Sequence, residues 1–233
     1  MRRSKLYKQQ LEAVGSLQTR HTVEEAIELL KKLPGVKFDQ TAEVAFKLGI
    51  DPRKSDQTVR GAVALPCGTG KDVRVAVVAE GNAAAEAKSA GADVVGYEDL
   101  VQKIKDGFAD FDILIATPDA MKMVRPLGRQ LGPRGLMPNP KTGTVTDAVG
   151  EAVAQAKAGR AEFRADRGAC VHVPFGKLSF ETAALKQNFE AISDAVMKAK
   201  PASAKGVYMI SCTISGTMTP GIKINVKELT RAK

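Results

Sequence analysis

The chain has 233 residues, of which 44% are hydrophobic and 26% charged, and its formal net charge is +9. This length allows one large or two ordinary domains with a buried core, and the composition is that of a globular protein. No apolar run can span a bilayer, no secretory leader is evident, and three widely spaced cysteines fit neither a disulfide framework nor a zinc motif, so we expect a cytoplasmic protein with no membrane partner.

The basic side chains are concentrated in three segments, residues 1–20, 119–143 and 197–233, whereas the rest of the chain is acidic overall. Ordinary solvated surface explains any one such segment well and three of them less well. The pattern therefore favours a polyanion as the partner.

The first part of the chain predicts two helices followed by two strands. Residues 4–17 have helical spacing, and residues 22–25 have the spacing of a capping box, which opens a helix that Gly35 ends. Apolar and polar residues alternate over residues 42–50, which predicts a strand with one buried face. Residues 59–65 predict a second strand that pairs back onto the first.

Phe38 stands at the entrance of the first strand, among charged and polar residues. An aromatic ring at this position is either a stacking surface for a nucleic-acid base or the first residue of the core. The spacing alone favours the core, because large apolar side chains are usually inside.

The middle of the chain, residues 67–159, follows a different pattern, in which continuous apolar runs alternate with helices. The predicted strands are residues 73–79, 94–96 and 112–117, and the predicted helices are residues 82–90, 98–108 and 147–158. Apolar strands separated by helices predict a parallel sheet that is covered on both sides.

The last part of the chain returns to half-buried alternation. Residues 161–165 and 170–174 predict a hairpin around a turn at residues 166–168, and residues 180–199 predict an amphipathic helix. A final hairpin is predicted from two strands at residues 207–214 and 222–226.

We therefore expect an α/β fold class in which one domain is inserted into another. Residues 1–66 and 160–233 would form a discontinuous two-layer α+β domain with a largely antiparallel sheet. Residues 67–159 would form an inserted three-layer, Rossmann-like α/β domain. Gly68, Gly70 and Gly159 mark the two crossings and predict a hinge there.

No known phosphate-binding motif is complete in this chain. The stretch from Gly68 to Lys71 is similar to a phosphate loop, but Leu65 and Asp72 stand where that motif requires glycine and a hydroxyl residue. A connecting turn is the better interpretation.

Nothing in the sequence indicates catalysis, a cofactor or a metal. His21 and His172 have no acid or cysteine neighbour at ligand or triad spacing, and Cys170 beside His172 on a strand is typical of ordinary packing. The basic, glycine- and proline-rich segment 127–140 is either a functional loop or a solvated connection. We expect a protein that is not an enzyme; the alternative is a nucleotide-dependent enzyme that uses the α/β domain.

Three stretches closely resemble the L-one family of bacterial large-subunit ribosomal proteins: FDQTAEVAFKLGIDPRKSDQTVRG, LGRQLGPRGLMPNP and SGTMTPG. They occur in the family's order, and the resemblance covers nearly the whole chain. It implies the inserted two-domain architecture and a structural role in the large ribosomal subunit. The implied partners are the rRNA of the mobile stalk near the E site, deacylated tRNA whose release the protein assists, and the protein's own operon mRNA, which it represses.

The resemblance also implies an RNA-binding surface that three segments form together. Its residues are Lys37, Phe38, Thr41 and Glu43 at the strand entrance, Ser211, Thr217 and Met218 on the terminal hairpin, and Arg164, Asp166, Arg167 and His172 on the middle hairpin, which is expected to complete the same edge. Basic side chains would neutralise phosphates, hydroxyls and Glu43 would bond riboses and bases, and Met218 would contact sugar or base faces.

One residue departs from the family's pattern, because Thr219 follows Met218 where the family usually has glycine. Either a positive φ is not needed at this position, or Gly216 or Gly221 supplies it. Off the ribosome we expect a monomer, with no cofactor and no metal.

Overall fold

The computed structural model describes residues 4–231 and confirms the α/β class. The helices are α1 (Lys5–Val14), α2 (Val23–Lys32), α3 (Asn82–Ser89), α4 (Glu98–Lys105), α5 (Met121–Val124), α6 (Gly128–Leu131), α7 (Val149–Gly159), α8 (Thr182–Lys198) and α9 (Val226–Arg231). The strands are β1 (Arg20–His21), β2 (Thr41–Leu48), β3 (Arg60–Ala64), β4 (Val75–Val78), β5 (Val94–Gly96), β6 (Ile113–Ala116), β7 (Arg160–Arg164), β8 (Cys170–Lys177), β9 (Met209–Gly216) and β10 (Ile222–Ile224). Arg2, Arg3 and Lys233 of the predicted basic segments lie outside the described residues.

The chain divides into two compact units, Met1–Gly70 with Ala161–Lys233, and Lys71–Arg160. The first unit contains a five-stranded sheet in the order β1-β10-β9-β2-β8 and a two-stranded sheet formed by β3 and β7. The second unit contains a three-stranded parallel sheet in the order β5-β4-β6.

Strand β2 organises the first unit, because it is paired along both edges, with β8 and with β9. Its predicted alternation is confirmed: Ala42, Val44, Phe46 and Leu48 are at most 1% exposed. These side chains join a core to which α2 and α8 contribute their apolar faces, and the ring of Phe46 lies 6.2 Å from that of Phe189 on α8. One face of the sheet is therefore core.

The capping box of α2 is confirmed. The Thr22 hydroxyl accepts from the N–H of Glu25, and the Glu25 carboxylate accepts from the N–H of Thr22, which satisfies two amides at the helix start. The helix ends at Lys32 and not at Gly35, because Leu33 takes an extended conformation, as expected for a residue that precedes proline. Strand β1 and helix α9 were not predicted.

The predicted pairings of two strands are wrong. Strand β3 pairs with β7 and not with β2, since β8 and β9 already occupy both edges of β2. Strands β7 and β8 consequently belong to different sheets, and a single bridge between Ala165 and Val171 replaces the predicted hairpin ladder. Gly61 of β3 accommodates the ring of Phe163, because a Cβ at this position would lie 2.7 Å from the ring.

The second unit has the predicted parallel sheet with helices on both faces. All four residues of β4 are buried; Val75 and Val77 face the core formed with α3 and α7, whereas Ala76 and Val78 face the core formed with α4, α5 and α6. The basic segment after residue 119 is helical in its first part, since residues 121–131 fold into α5, a 3-10 turn and α6, whereas residues 132–139 form turns and irregular backbone. Leu127 and Leu131 anchor the helical part in the core.

No helix within residues 4–231 combines the length and the apolarity that crossing a bilayer requires.

Gly49 provides the first testable prediction, because its backbone lies against that of residues 207 and 208. Its N–H donates to the carbonyl of Tyr208 at 2.7 Å, and a Cβ would lie 2.1 Å from the carbonyl oxygen of Val207. We expect Gly49→Ala to lower the free energy of unfolding by about 1–3 kcal/mol, since backbone atoms must move to admit the methyl group. Urea unfolding followed by circular dichroism measures this.

The matched control is Gly35→Ala, since a Cβ there meets no atom within 4 Å and its φ is not positive. Its free energy of unfolding should stay within about 0.5 kcal/mol of the parent value. An equal loss of unfolding free energy in both variants would contradict the close contact between the backbones of Gly49 and Val207.

Candidate nucleic-acid interface

The five-stranded sheet has a second face, opposite the one that packs against α2 and α8, and we call it the open face. It carries the side chains that alternate with the core residues of β2, and their cross-strand neighbours point the same way. The register places them in three rows: Ser215, Glu43 and Pro174; Thr213, Ala45 and His172; and Ser211, Lys47 and Cys170. None of the nine is buried. The open face is therefore polar, rich in hydroxyl groups and accessible.

The start of β2 and the end of β9 are joined by backbone and side-chain hydrogen bonds. The Thr217 hydroxyl accepts from the N–H of Thr41 at 3.1 Å, and the N–H of Thr217 donates to the Thr41 carbonyl at 3.1 Å. The amide oxygen of Gln40, which is only 3% exposed, accepts from the N–H of Met218 at 2.9 Å. The two loops thus hold each other in one conformation.

A third segment, at the end of β8, completes this arrangement. The Asp39 carboxylate accepts from the N–H and the hydroxyl of Ser179, at 3.2 and 2.7 Å, and the Lys177 ammonium donates to the Thr41 hydroxyl at 3.0 Å. We call residues 37–41, 177–179 and 217–219 together the loop end of the sheet. It brings together five of the predicted residues, Lys37, Phe38, Thr41, Thr217 and Met218, and Glu43 lies in the adjacent row of the open face.

Two large apolar side chains point outward from the loop end. Phe38 and Met218 are each 54% exposed, although the Met218 N–H and the side chain of Asp39, next to Phe38, are hydrogen-bonded. The prediction from spacing that Phe38 is the first core residue is therefore wrong. Exposed apolar groups on an ordered loop indicate a contact surface, and an aromatic ring of this kind can stack on an unpaired base.

Arg164, Asp166 and Arg167 do not lie at the loop end, so the expectation of a shared edge is wrong. Strand β8 runs antiparallel to β2, which places the turn before β8 at the far end of β2, beside Lys47. Six residues at about 3.3 Å each separate the two ends by about 20 Å. Of the four predicted residues of the middle hairpin, only His172 lies on the open face between the two ends.

The turn at the far end is built around one carboxylate. One oxygen of Asp166 accepts from the N–H of Gly168 at 2.8 Å and from that of Cys170 at 2.7 Å. The pKa of the Asp166 carboxyl is lowered, mainly by the hydrogen bond from the Cys170 N–H. Reduced solvation acts in the opposite direction, and the hydrogen bond from the Gly168 N–H lowers the pKa further. The Lys47 ammonium donates to the carbonyl of Gly168, which ties the turn to β2.

The stretch from Gly68 to Lys71 contains two positive-φ glycines, Gly68 and Gly70, with φ of 71° and 69°. The fully buried side chain of Asn188 accepts from the N–H of Cys67 at 3.0 Å and donates to the Gly68 carbonyl at 2.9 Å. The interpretation as a connecting turn fits these bonds, since α8 anchors the turn through Asn188.

Comparisons with known proteins agree on one family. A sequence model described as the Ribosomal protein L1p/L10e family matches residues 29–220. The "Large ribosomal subunit protein uL1" of Chlamydia pneumoniae is 56% identical over 209 residues, which cover 90% of each chain. The chain belongs to this ribosomal protein family. As a member it is an rRNA-binding constituent of the large ribosomal subunit, in the cytoplasm.

In this member of the L-one family, Thr219 closes the turn without a positive φ. Ala169 is the only non-glycine residue with positive φ in residues 4–231, and neither Gly216 nor Gly221 has one. The Thr219 hydroxyl accepts from the N–H of Gly216 at 2.7 Å, and the Thr219 N–H donates to the Gly216 carbonyl at 3.2 Å. A side-chain hydrogen bond thus holds the turn, so the positive φ is not needed here.

Sequence reasoning missed several groups of this L-one chain that belong to the same surface. Thr213 and Ser215 lie beside the predicted Ser211 on the open face, and Lys47 and Lys223 lie in the same rows as hydroxyl residues. The period-two alternation of β2 and β9 was the signal that could have identified them. Gln40 carried no such signal, because its role depends on a loop 178 positions away.

The second unit of the L-one chain has its own cationic region on α5, α6 and the segment after them. Lys122, Arg125, Arg129 and Arg134 are exposed there, whereas leucines of the same segment are buried. Residues 128–131 of the segment 127–140 are helical, whereas residues 132–139 form a loop of turns and irregular backbone. The helical part is an ordered platform for positive charge.

Gln40 provides a test of the loop end, because its amide oxygen is the acceptor for the Met218 N–H. We expect Gln40→Leu to speed hydrogen exchange of the Met218 amide by about fivefold, since losing one hydrogen bond costs about 1 kcal/mol. Gln40→Glu keeps an acceptor oxygen and should preserve protection. Amide exchange measured by NMR distinguishes them, and equal exchange in both variants would show that the bond does not order the loop.

Proposed function

We propose that the loop end and the open face form the rRNA-binding surface of this protein, and that its target is the rRNA of the mobile stalk near the E site. The observation that carries the proposal is the pair of half-exposed apolar side chains, Phe38 and Met218, on loops that are hydrogen-bonded to each other. Single exposed apolar side chains are common, but two of them on loops that are bonded to each other are typical of an interaction site.

The loop end supplies stacking and apolar contact. Phe38 offers a ring face to an unpaired base, and Met218 packs against a sugar or a neighbouring base. The Thr217 hydroxyl already accepts from and donates to the backbone of Thr41, so its main role is to position the loop, and its remaining lone pair can accept from a ribose 2′-OH.

The side chains of the open face bind the riboses and phosphates of the RNA backbone. Ser211, Thr213 and Ser215 present hydroxyl groups along β9, and the exposed Glu43 accepts from a 2′-OH or a base amine beside them. The lysines of this surface, Lys37, Lys47 and Lys223, neutralise phosphates. An RNA segment that runs along β2 contacts both the loop end and, about 20 Å away, Arg164, Asp166 and Arg167, with His172 between them.

We further propose that the two units are the predicted domains and that they move about a hinge at the glycine crossings. Gly68, Gly70 and Gly159 have positive φ values of 71°, 69° and 102°, which suits them to absorb backbone rotation. The exposed cations of the second unit would contact deacylated tRNA and assist its release. Off the ribosome, the monomeric protein would repress its operon by binding an mRNA site with the same shape as the rRNA.

The deciding experiment is filter binding of the purified protein to a stalk rRNA fragment across a salt series, beside an unrelated RNA duplex of equal length. We expect binding to the fragment that persists at physiological salt and is at least 1000-fold tighter than binding to the duplex, as roughly separates specific from nonspecific sites. Equal, steeply salt-dependent binding to both RNAs would reduce the surface to a generic basic patch.

Variants at the loop end test the named residues. We expect Phe38→Ala and Met218→Ala each to weaken fragment binding about 5- to 150-fold, since a lost stacking or apolar contact costs about 1–3 kcal/mol. Thermal unfolding should be nearly unchanged, because both side chains are exposed. Val207→Ala is the matched control: Val207 is 74% exposed, precedes the opposite end of β9, and should leave RNA affinity unaltered.

A charge variant tests the phosphate contacts separately. We expect Lys37→Gln to weaken binding to both RNAs and to reduce the slope of log affinity against log salt by about 1, as the loss of one phosphate contact should. Lys88→Gln, which removes an exposed lysine from α3 of the second unit, should leave the slope unchanged. If Lys37→Gln and Lys88→Gln showed the same slope of log affinity against log salt, a phosphate contact by Lys37 would be contradicted.

A further inference from the structure

Three side chains with different metal-binding atoms converge at the far end of the open face. A carboxylate oxygen of Asp166, the sulfur of Cys170 and an imidazole nitrogen of His172 all lie within 4.8 Å of one another. The sequence separation alone indicated no ligand set. Cys170 and His172 share a face because they are two positions apart on β8, and the turn returns Asp166 to the same face.

We propose that Asp166, Cys170 and His172 form a binding site for a borderline-soft divalent cation, of which Zn²⁺ is the best match. The site has one oxygen, one sulfur and one nitrogen ligand, a combination that suits Zn²⁺ and excludes Mg²⁺ and Ca²⁺, which take oxygen ligands. Three protein ligands leave the fourth tetrahedral position to water.

The geometry needs only a small adjustment to hold the ion. Ligands at 2.0–2.3 Å from a tetrahedral Zn²⁺ are about 3.3–3.8 Å apart, so the side chains must approach by about 1 Å. His172 is exposed and Cys170 is half-buried, so rotation of these two side chains toward the Asp166 carboxylate can supply this movement. The backbone of the turn does not need to change.

The turn prepares the carboxylate for this role. The two backbone N–H groups bond one oxygen of Asp166, which fixes the carboxylate and leaves its other oxygen for the cation.

The Cys170 thiol lies 3.7 Å from the carbonyl of Gly168. When the cation binds, the sulfur–metal bond forms and the thiol proton leaves to solvent, so the two negative ligands balance the charge of the ion. The nearby ammonium of Lys47, which bonds the same carbonyl, and the exposed Arg167 oppose the cation. We therefore expect an exchangeable site, weaker than a four-ligand structural zinc site.

The test is a titration of the untagged, reduced full-length protein with Co²⁺, followed by Zn²⁺. We expect a thiolate-to-cobalt charge-transfer band together with visible bands of tetrahedral intensity, and stoichiometric Zn²⁺ should abolish both. Cys170→Ser should remove the charge-transfer band, and His172→Gln should weaken Co²⁺ binding at least tenfold. Asp166→Asn, which keeps an acceptor for the two N–H groups, should weaken it as well.

Cys67→Ser is the matched control, because Cys67 is also a half-buried thiol of the first unit and lies outside the cluster. Its cobalt spectrum and affinity should equal those of the parent protein. No charge-transfer band in the parent, or loss of the band in Cys67→Ser with retention in Cys170→Ser, would overturn the proposal. Because the titration contains no RNA, its result is independent of the proposed RNA-binding function.

Discussion

The double pairing of β2 is the constraint on which the first unit depends. With β8 on one edge and β9 on the other, every side chain of β2 must face either the helices or the open face. Ala42, Val44, Phe46 and Leu48 take the core positions, which leaves Glu43, Ala45 and Lys47 for solvent. Core and candidate interface are thus two faces of one strand, and a shift of register by one residue would exchange them.

The antiparallel order of the sheet determines which groups act together. The start of β2 meets the ends of β8 and β9, so Phe38, Thr41, Thr217 and Met218 assemble from segments that are far apart in the chain. The same order sends Asp166 to the opposite end. The open face between the two ends carries Thr213, Ala45 and His172, so it connects a region of apolar contact to a region of charge and potential metal ligands.

In the second unit, the cationic surface lies on helices and not on the strands of the sheet. Its sheet is buried on both faces, so polar function cannot lie on the strands, as it does in the first unit. Charge is carried instead by short helices after β6, in which Leu127 and Leu131 point inward and Arg125 and Arg129 point outward. Glycine and proline in this segment shorten the helices without leaving the backbone irregular throughout.

Local patterns in the sequence were sufficient for the elements and for much of the loop end. The alternation of β2, the capping box at Thr22 and the apolar runs of β4 and β6 depend on neighbouring residues, and all are confirmed. The identity of Phe38 as an exposed residue came from resemblance to a family, because its spacing alone favours a core position.

Only the tertiary structure decided which elements lie next to each other. Periodicity reports which face of a strand is buried but not which strand occupies each edge, so the pairing of β3 with β7 and the position of Asp166 were not predictable. For the same reason, the cluster of Asp166, Cys170 and His172 has no signature in their spacing: a turn conformation closed by backbone N–H groups brings them together. The sequence by itself determined which faces are buried, and the packing of strands determined which functional groups meet.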